Sequence, residues 1–372
     1  MKQSRNRNII ISGGGTGGHV FPALSIAHAI RERDPKAKIL FVGALGKMEM
    51  EKVPAAGYPI KGLPIGGFQR GFSRRALVSN FKLPFQLLVS ILKSFQILRR
   101  FRPHAAVGVG GYASGPLLWA AARKKTPYLL QEQNSFAGKT NKKLAAQAAH
   151  ICVAYPGMER FFPASKIVLT GNPIRENIGP ATQKGVKEGL EYFRLNPEQK
   201  TILVIGGSLG AGTLNRCLEA YLPRAKEQTV QVLWQCGRNG IGRAQEALRQ
   251  YPDVPVYVHE FIERMDLAFA VADLVVSRAG AGTISELCAA GKACIFVPSP
   301  NVAEDHQTHN AMALVKEKAG CLVPDNKAME VLMDKALELV FDNEKLQILS
   351  SNVLQLSRPH AAKDIATLVL EL

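Results

Sequence analysis

The sequence predicts an α/β protein built from two doubly wound, parallel-sheet domains. Three observations predict it. Short β-branched runs alternate with amphipathic helix patterns along the chain, as in repeated strand–helix–strand units. A strand that runs into a glycine loop and then a helix occurs twice, after Ile9–Ile11 and again after Ile202–Ile205. The length of 372 residues suits two domains of about 150 residues each.

The first series of strand candidates is Asn8–Ser12, Lys38–Val42, Ala105–Val109, Tyr128–Gln131, Ile151–Ala154 and Lys166–Leu169. The second is Thr201–Ile205, Val230–Gln235, Val256–Glu260, Leu274–Ser277 and Ala293–Pro298. Helix patterns such as Pro22–Arg33 and Thr213–Tyr221 lie between them. The turn sequence Gly171-Asn172-Pro173 follows a strand and marks the boundary between domains.

Composition sets outer limits. Apolar residues make up 47% and charged residues 21%, which fits a globular chain and argues against disorder. The six cysteines form no C-x-x-C pair and read as reduced, buried thiols. Leu83–Leu92 is ten uncharged residues between Lys82 and Lys93, short of the roughly 20 needed to span a bilayer. The basic start (Lys2, Arg5, Arg7) leads into too brief an apolar run for a secretory signal.

The net charge of +17 is unevenly placed. Residues 1–174 hold 26 Lys and Arg against 6 Asp and Glu; residues 175–372 hold 21 against 24. A cationic first half calls for an anionic partner: nucleic acid, anionic lipid or a phosphorylated substrate. No nucleic-acid module is recognisable, which favours lipid or a phosphorylated acceptor. The segment Phe81–Phe101 is apolar with basic ends (Arg74, Arg75 and Lys82 before; Arg99, Arg100 and Arg102 after). It reads either as a core helix or as a shallow membrane face.

Four motifs could carry chemistry. Gly13, Gly15 and Gly18 match G-x-G-x-x-G, but the second strand ends Phe41-Val42-Gly43-Ala44 with no acid for a dinucleotide ribose. A phosphate or sugar ligand, a dinucleotide and a merely structural turn all remain open there. His19 closes the loop, where a helix N-terminus favours a neutral imidazole; it is either a base or a satisfied polar residue. A further glycine loop, Gly108 to Pro116, follows another strand of the first half. In the second half, Ser277-Arg278-Ala279-Gly280-Ala281-Gly282-Thr283-Ile284-Ser285-Glu286 places small residues where a helix begins. Its amides suit a diphosphate, and Glu286 suits the two hydroxyls of a ribose or simply complements the helix dipole. Arg175, at the boundary, is either a phosphate clamp or a surface ion pair.

There is no D-x-D, H-E-x-x-H or P-loop. No metal site and no cofactor is therefore expected, although Asp305-His306-Gln307-Thr308-His309 could bring two histidines one turn apart.

Taken in order, Ser12 to Ala23, Gly110 to Pro116, Glu132-Gln133-Asn134, Thr170 to Arg175, Gly206 to Ala211 and Arg278 to Thr283 resemble the MurG family. These are bacterial N-acetylglucosaminyltransferases of peptidoglycan synthesis. The resemblance implies a GT-B type fold with two Rossmann-like domains facing a central cleft. The first would be residues 1–174 plus a returning C-terminal helix at about 356–372, and the second residues 175–355. It implies UDP-N-acetylglucosamine as donor, a lipid-linked N-acetylmuramyl-pentapeptide as acceptor, and peripheral attachment to the cytoplasmic face of the inner membrane. It also implies roles. Ser208, Arg175 and the amides of Ala281, Gly282 and Thr283 would hold the diphosphate, with Ile284 and Ser285 in the same stretch. Glu286 would bind the ribose, and Ile262 would offer its backbone to uracil. Gln307 and Asn134 would touch the donor sugar, and Thr16, Gly17 and Gly18 would line the reaction site. His19 would be the base, with Glu132 second to it. A transferase using another acceptor, and a non-catalytic nucleotide-sugar or membrane-docking protein, are the competing readings.

Overall fold

The computed structural model describes residues 7–67 and 74–372. Lys2 and Arg5 lie outside the described residues, as do the side chains of Arg74 and Arg75. The chain up to Ile174 forms one compact unit together with Pro359–Leu372, and Arg175–Arg358 forms a second.

The first unit contains a seven-stranded sheet made of β1 (Asn8–Gly13), β2 (Lys38–Ala44), β3 (Ile60–Leu63), β4 (Ala105–Gly110), β5 (Tyr128–Glu132), β6 (His150–Val153) and β7 (Ile167–Leu169). Its order is β3-β2-β1-β4-β5-β6-β7, with every pair parallel. Side chains alternate between faces along each strand. Ile9, Ile11, Phe41 and Val107 pack on one face with Ile26 and Ile30 of the helix Gly17–Arg33 and with Ile365 and Val369 of the last helix, Ala361–Glu371. Ile10, Val42, Ala106 and Leu130 pack on the other with Leu117 and Leu118 of the helix Ser114–Arg123. Burying each of the larger side chains among these contributes about 1.5–3 kcal/mol.

The second unit contains β8 (Lys200–Ile205), β9 (Val230–Gln235), β10 (Val256–His259), β11 (Leu274–Ser277), β12 (Cys294–Phe296) and β13 (Cys321–Leu322). They form a parallel sheet in the order β10-β9-β8-β11-β12-β13. Ile202, Val204, Val232, Trp234 and Val276 face Leu214, Leu218 and Tyr221 of the helix Gly212–Ala225. The buried indole of Trp234 donates to Asn215 Oδ1 at 3.2 Å, and Asn215 donates onward to the Cys236 carbonyl at 3.0 Å.

Two strands escape the sequence pattern, and both are edges. β3 reads Ile-Lys-Gly-Leu and β13 is two residues long, so neither shows an apolar run. The first helix also begins a turn earlier than Pro22 suggests. It starts at Gly17 and carries Pro22 inside.

The helix Arg74–Phe101 inverts the usual arrangement. Ser90, Ser94 and Leu98 are buried, while Phe81 (89%), Phe85 (71%), Leu88 and Leu92 are exposed. Counting only uncharged residues understates this helix. Phe81–Phe101 is long and apolar enough, by length and composition, to cross a membrane. Its buried face nevertheless packs on the unit, with Phe95 edge-on to Trp119 at 6.1 Å.

Candidate functional site

In each unit the strand order reverses at one point, between β1 and β4 and between β8 and β11. Connections leave in opposite directions there and open a crevice at the carboxyl ends of the strands. All four glycine loops singled out in the sequence emerge at these two points.

In the first unit, β1 and β4 shift register between Ser12 and Gly13 as they part. The Ser114 hydroxyl lies 2.9 Å from the Ser12 carbonyl and 2.8 Å from the Gly110 carbonyl, and so ties the two loops together. Thr16 precedes the helix Gly17–Arg33 in extended conformation and accepts the N–H groups of His19 and Val20 at 3.1 Å each. Its hydroxyl lies 3.3 Å from His19 Nδ1. The half-buried His19 ring rests against Gly110, whose φ of 95° and lack of a side chain leave room for it. Thr16, Gly17, Gly18 and His19 thus form one continuous rim, with Thr16 and Gly18 exposed.

The amide of Gly15 already has a partner within the chain. Its N–H donates at 2.8 Å to Glu49, a residue the sequence analysis passed over. Glu49 sits in a short helix between two methionines, a pattern that signals nothing on its own.

Glu132, at the end of β5, is buried and accepts from Gly138 N, Asn141 Nδ2, Asn134 N and Asn134 Nδ2 at 2.9–3.4 Å. Burial raises its pKa, and these four donors oppose the rise. Four donors account for about all the lone-pair sites of a carboxylate. Glu132 therefore secures the loop that carries Asn134.

In the second unit, Ser208 is exposed on the loop after β8, and its carbonyl accepts from Arg238 N at 3.1 Å. The loop after β11 enters the helix Ala281–Ala290 through an extended Gly280. Helix geometry leaves the amides of Ala281, Gly282 and Thr283 without partners inside the helix. Ile284 is different: its amide bonds to the Gly280 carbonyl at 2.9 Å and its side chain is core. The Ser285 hydroxyl returns to the Ala281 carbonyl at 3.0 Å. Both brace the helix start. Behind them, Arg278 reaches the carbonyls of Val297 and Pro298 and pairs with Asp325.

Arg175 and Glu286 meet in a two-pronged ion pair, Nε to Oε1 at 2.7 Å and Nη2 to Oε2 at 2.8 Å. The carboxylate raises the guanidinium's pKa further. The pair occupies one edge of the guanidinium and two carboxylate lone pairs, which leaves the Nη1 edge and two lone pairs for other groups.

Ile262 is buried, and its N–H is already taken by Gln235 Oε1 at 3.0 Å, so only its carbonyl remains to read a base. Gln235 was also missed; a polar residue closing an apolar parallel strand was its signal. Gln307 accepts the Ser299 N–H at 2.8 Å through Oε1. It follows Glu304 and Asp305, which have φ of 56° and 48°. Non-glycine residues held there store strain, a frequent companion of functional loops. Among the described residues, no group of three His, Cys, Asp or Glu side chains is placed to hold a metal ion.

Comparison with known proteins agrees with this layout. Residues 9–153 match the glycosyltransferase family 28 N-terminal domain, and residues 201–366 match the family 28 C-terminal domain. The chain is 53% identical over 367 residues to a Bacteroides thetaiotaomicron protein named UDP-N-acetylglucosamine–N-acetylmuramyl-(pentapeptide) pyrophosphoryl-undecaprenol N-acetylglucosamine transferase, covering 98% of this chain and 97% of that one. It is 55% identical to the protein of the same name from Parabacteroides distasonis, over 87% of each chain. The crystal structure of Acinetobacter baumannii MurG aligns with a TM-score of 0.79 at 28% identity, covering 98% of this chain and 100% of that one. The glycotransferase of kitacinnamycin aligns at 0.70 with 16% identity over 99% of each chain, a likeness of fold alone.

Proposed function

The chain belongs to glycosyltransferase family 28, in its MurG branch, and on that premise we propose the following reaction and division of labour. The protein is a UDP-N-acetylglucosamine-dependent hexosyltransferase of peptidoglycan synthesis. It moves N-acetylglucosamine to undecaprenyl-pyrophosphoryl-N-acetylmuramyl-pentapeptide. The observation that carries this reading is the full-length match to the curated transferases.

The second unit holds the donor. The Nη1 edge of Arg175, the amides of Ala281, Gly282 and Thr283, and Ser208 take the diphosphate. Glu286 keeps two lone pairs for the ribose hydroxyls, so the ion pair and both ligand roles are compatible. The Ile262 carbonyl accepts from the uracil N3–H. Gln307 and Asn134 contact the donor sugar.

The first unit takes the acceptor. His19 removes the proton from the 4-hydroxyl of the muramic acid. That oxygen forms a bond to the anomeric carbon as the bond to the β-phosphate oxygen breaks, and the configuration inverts. UDP leaves with the added negative charge, which the guanidinium and the helix amides stabilise. These groups supply the charge a metal would otherwise supply, so transfer should persist in excess EDTA.

The exposed stripe Phe81, Phe85, Leu88 and Leu92 lies beside exposed Lys82, Lys93, Arg99, Arg100 and Arg102. An apolar face with a cationic rim suits shallow insertion into an anionic leaflet, where a lipid-linked acceptor resides. The protein on this reading is peripheral, on the cytoplasmic face of the bacterial inner membrane, and takes no nucleic acid.

The test is UDP release with donor and lipid-linked acceptor supplied together and singly. Release only with both supports the reading; release with donor and any soluble sugar, or without acceptor, overturns it.

A further inference from the structure

A glycine loop that opens on a helix N-terminus is a place for an anion, because loop amides and helix dipole point the same way. In the first unit one amide of such a loop, that of Gly15, is held from within the chain. Glu49, first residue of the helix Glu49–Ala55, is fully buried. Its Oε2 accepts the Gly15 N–H at 2.8 Å, and its Oε1 accepts the Ala44 N–H at 2.9 Å. The carboxylate lies so close to Gly14 that a Cβ there would overlap it. One side chain thus joins the loop after β1 to the end of β2. Gly15 is followed by Thr16, whose carbonyl and hydroxyl both hold His19.

We propose that Glu49 is a positioning residue for transfer. As the loop's built-in anion it fixes the turn that carries Thr16 and His19, and it bars phosphate from the Gly15 amide. This rests on the transferase reading given above. Charge and shape are separable here. A glutamine has the same outline but presents one acceptor group and one N–H donor group, so one of the two amides would face a donor. A buried donor left without a partner destabilises the local arrangement it belongs to.

The test compares Glu49→Gln and Glu49→Ala with the unaltered chain in the two-substrate transfer assay. Glu49→Gln is expected to lower kcat at least tenfold while the KM for UDP-N-acetylglucosamine stays within twofold, because the donor sits on the other unit. In Glu49→Ala, formate is expected to enter the vacated place and restore kcat at least fivefold. Wild-type kcat in Glu49→Gln would overturn the proposal, as would a donor KM that rises in step with the fall in kcat. If Glu49→Ala does not fold, Glu49→Gln decides alone. Amide exchange gives a readout independent of turnover: Gly15 and Ala44 should exchange at least tenfold faster in Glu49→Gln. Should the unaltered chain show no transfer, the functional reading fails, and unchanged exchange at both amides would still overturn the role given to Glu49.

Discussion

The two units build the same device twice and fill it differently. Each has a parallel sheet whose order reverses once, with glycine loops on both sides of the reversal. In the first unit a buried carboxylate, Glu49, occupies the loop amide, and an imidazole stands at the rim. In the second, the start of the helix Ala281–Ala290 offers its amides, and a carboxylate, Glu286, aims a guanidinium instead. Topology therefore fixes where a ligand is received, while a few side chains decide its charge. One unit ties a loop amide with its own carboxylate, and the other keeps the first amides of a helix outside the helix's own hydrogen bonding.

The comparison can be broken most sharply at the two reactive groups. His19→Ala should lower kcat by about 10²–10⁴, the usual range for losing a general base, with the donor KM little changed. Steady-state kinetics checks this, and a comparable rise in donor KM would assign His19 to the donor side. Arg175→Ala should lower kcat/KM by about 10²–10³, the scale for one donor to transition-state charge. Because Arg175 and Glu286 share a two-pronged bond, a double-mutant cycle with Glu286→Gln should show coupling of about 0.5–3 kcal/mol. Strict additivity would mean that the pair does not work as a unit.

A smaller effect separates the cationic unit from its neighbour. Replacing Arg99, Arg100 and Arg102 with Gln should weaken binding to anionic vesicles by about 1 kcal/mol per residue at low salt, and the difference should shrink as salt rises. Sedimentation with vesicles measures it; salt-independent binding would remove the electrostatic part of membrane docking.

The smallest contrast is in titration. Burial raises the pKa of Glu132, so the folded first unit holds a proton that the unfolded chain releases. Its contribution to stability therefore falls as pH rises from the ordinary carboxylate range through the folded pKa. Asp266 in the second unit is the reverse. Arg264 lowers its pKa, so its contribution is present above the ordinary carboxylate range and fades as pH falls through the folded value. Denaturation across pH should flatten on the alkaline side in Glu132→Gln and on the acid side in Asp266→Asn.

The central strands were legible because parallel strands buried on both faces are continuous apolar runs, as in Ile9–Ile11 and Ile202–Ile205. The glycine loops were legible because their chemistry is local. Two of the four edge strands, β3 and β13, were not, since they are short and carry no apolar run. Which backbone group of Ile262 is left for a base was not legible, because Gln235, which takes its N–H, stands 27 residues away in sequence. Glu132 carried no local mark of its four donors.

By itself the sequence determined the class of fold, the glycine loops and their order, and the family. The first two follow from periodicity and from neighbours a few residues apart, and the family from the resemblance of the ordered motifs. The tertiary structure alone decided what each loop faces: Glu49 on Gly15 across 34 residues, Arg175 on Glu286 across 111, and the apolar side of Phe81–Phe101 turned outward. Such pairings depend on strand order and on which helix face is buried. Those are outcomes of packing the whole chain, and no short stretch of residues carries them.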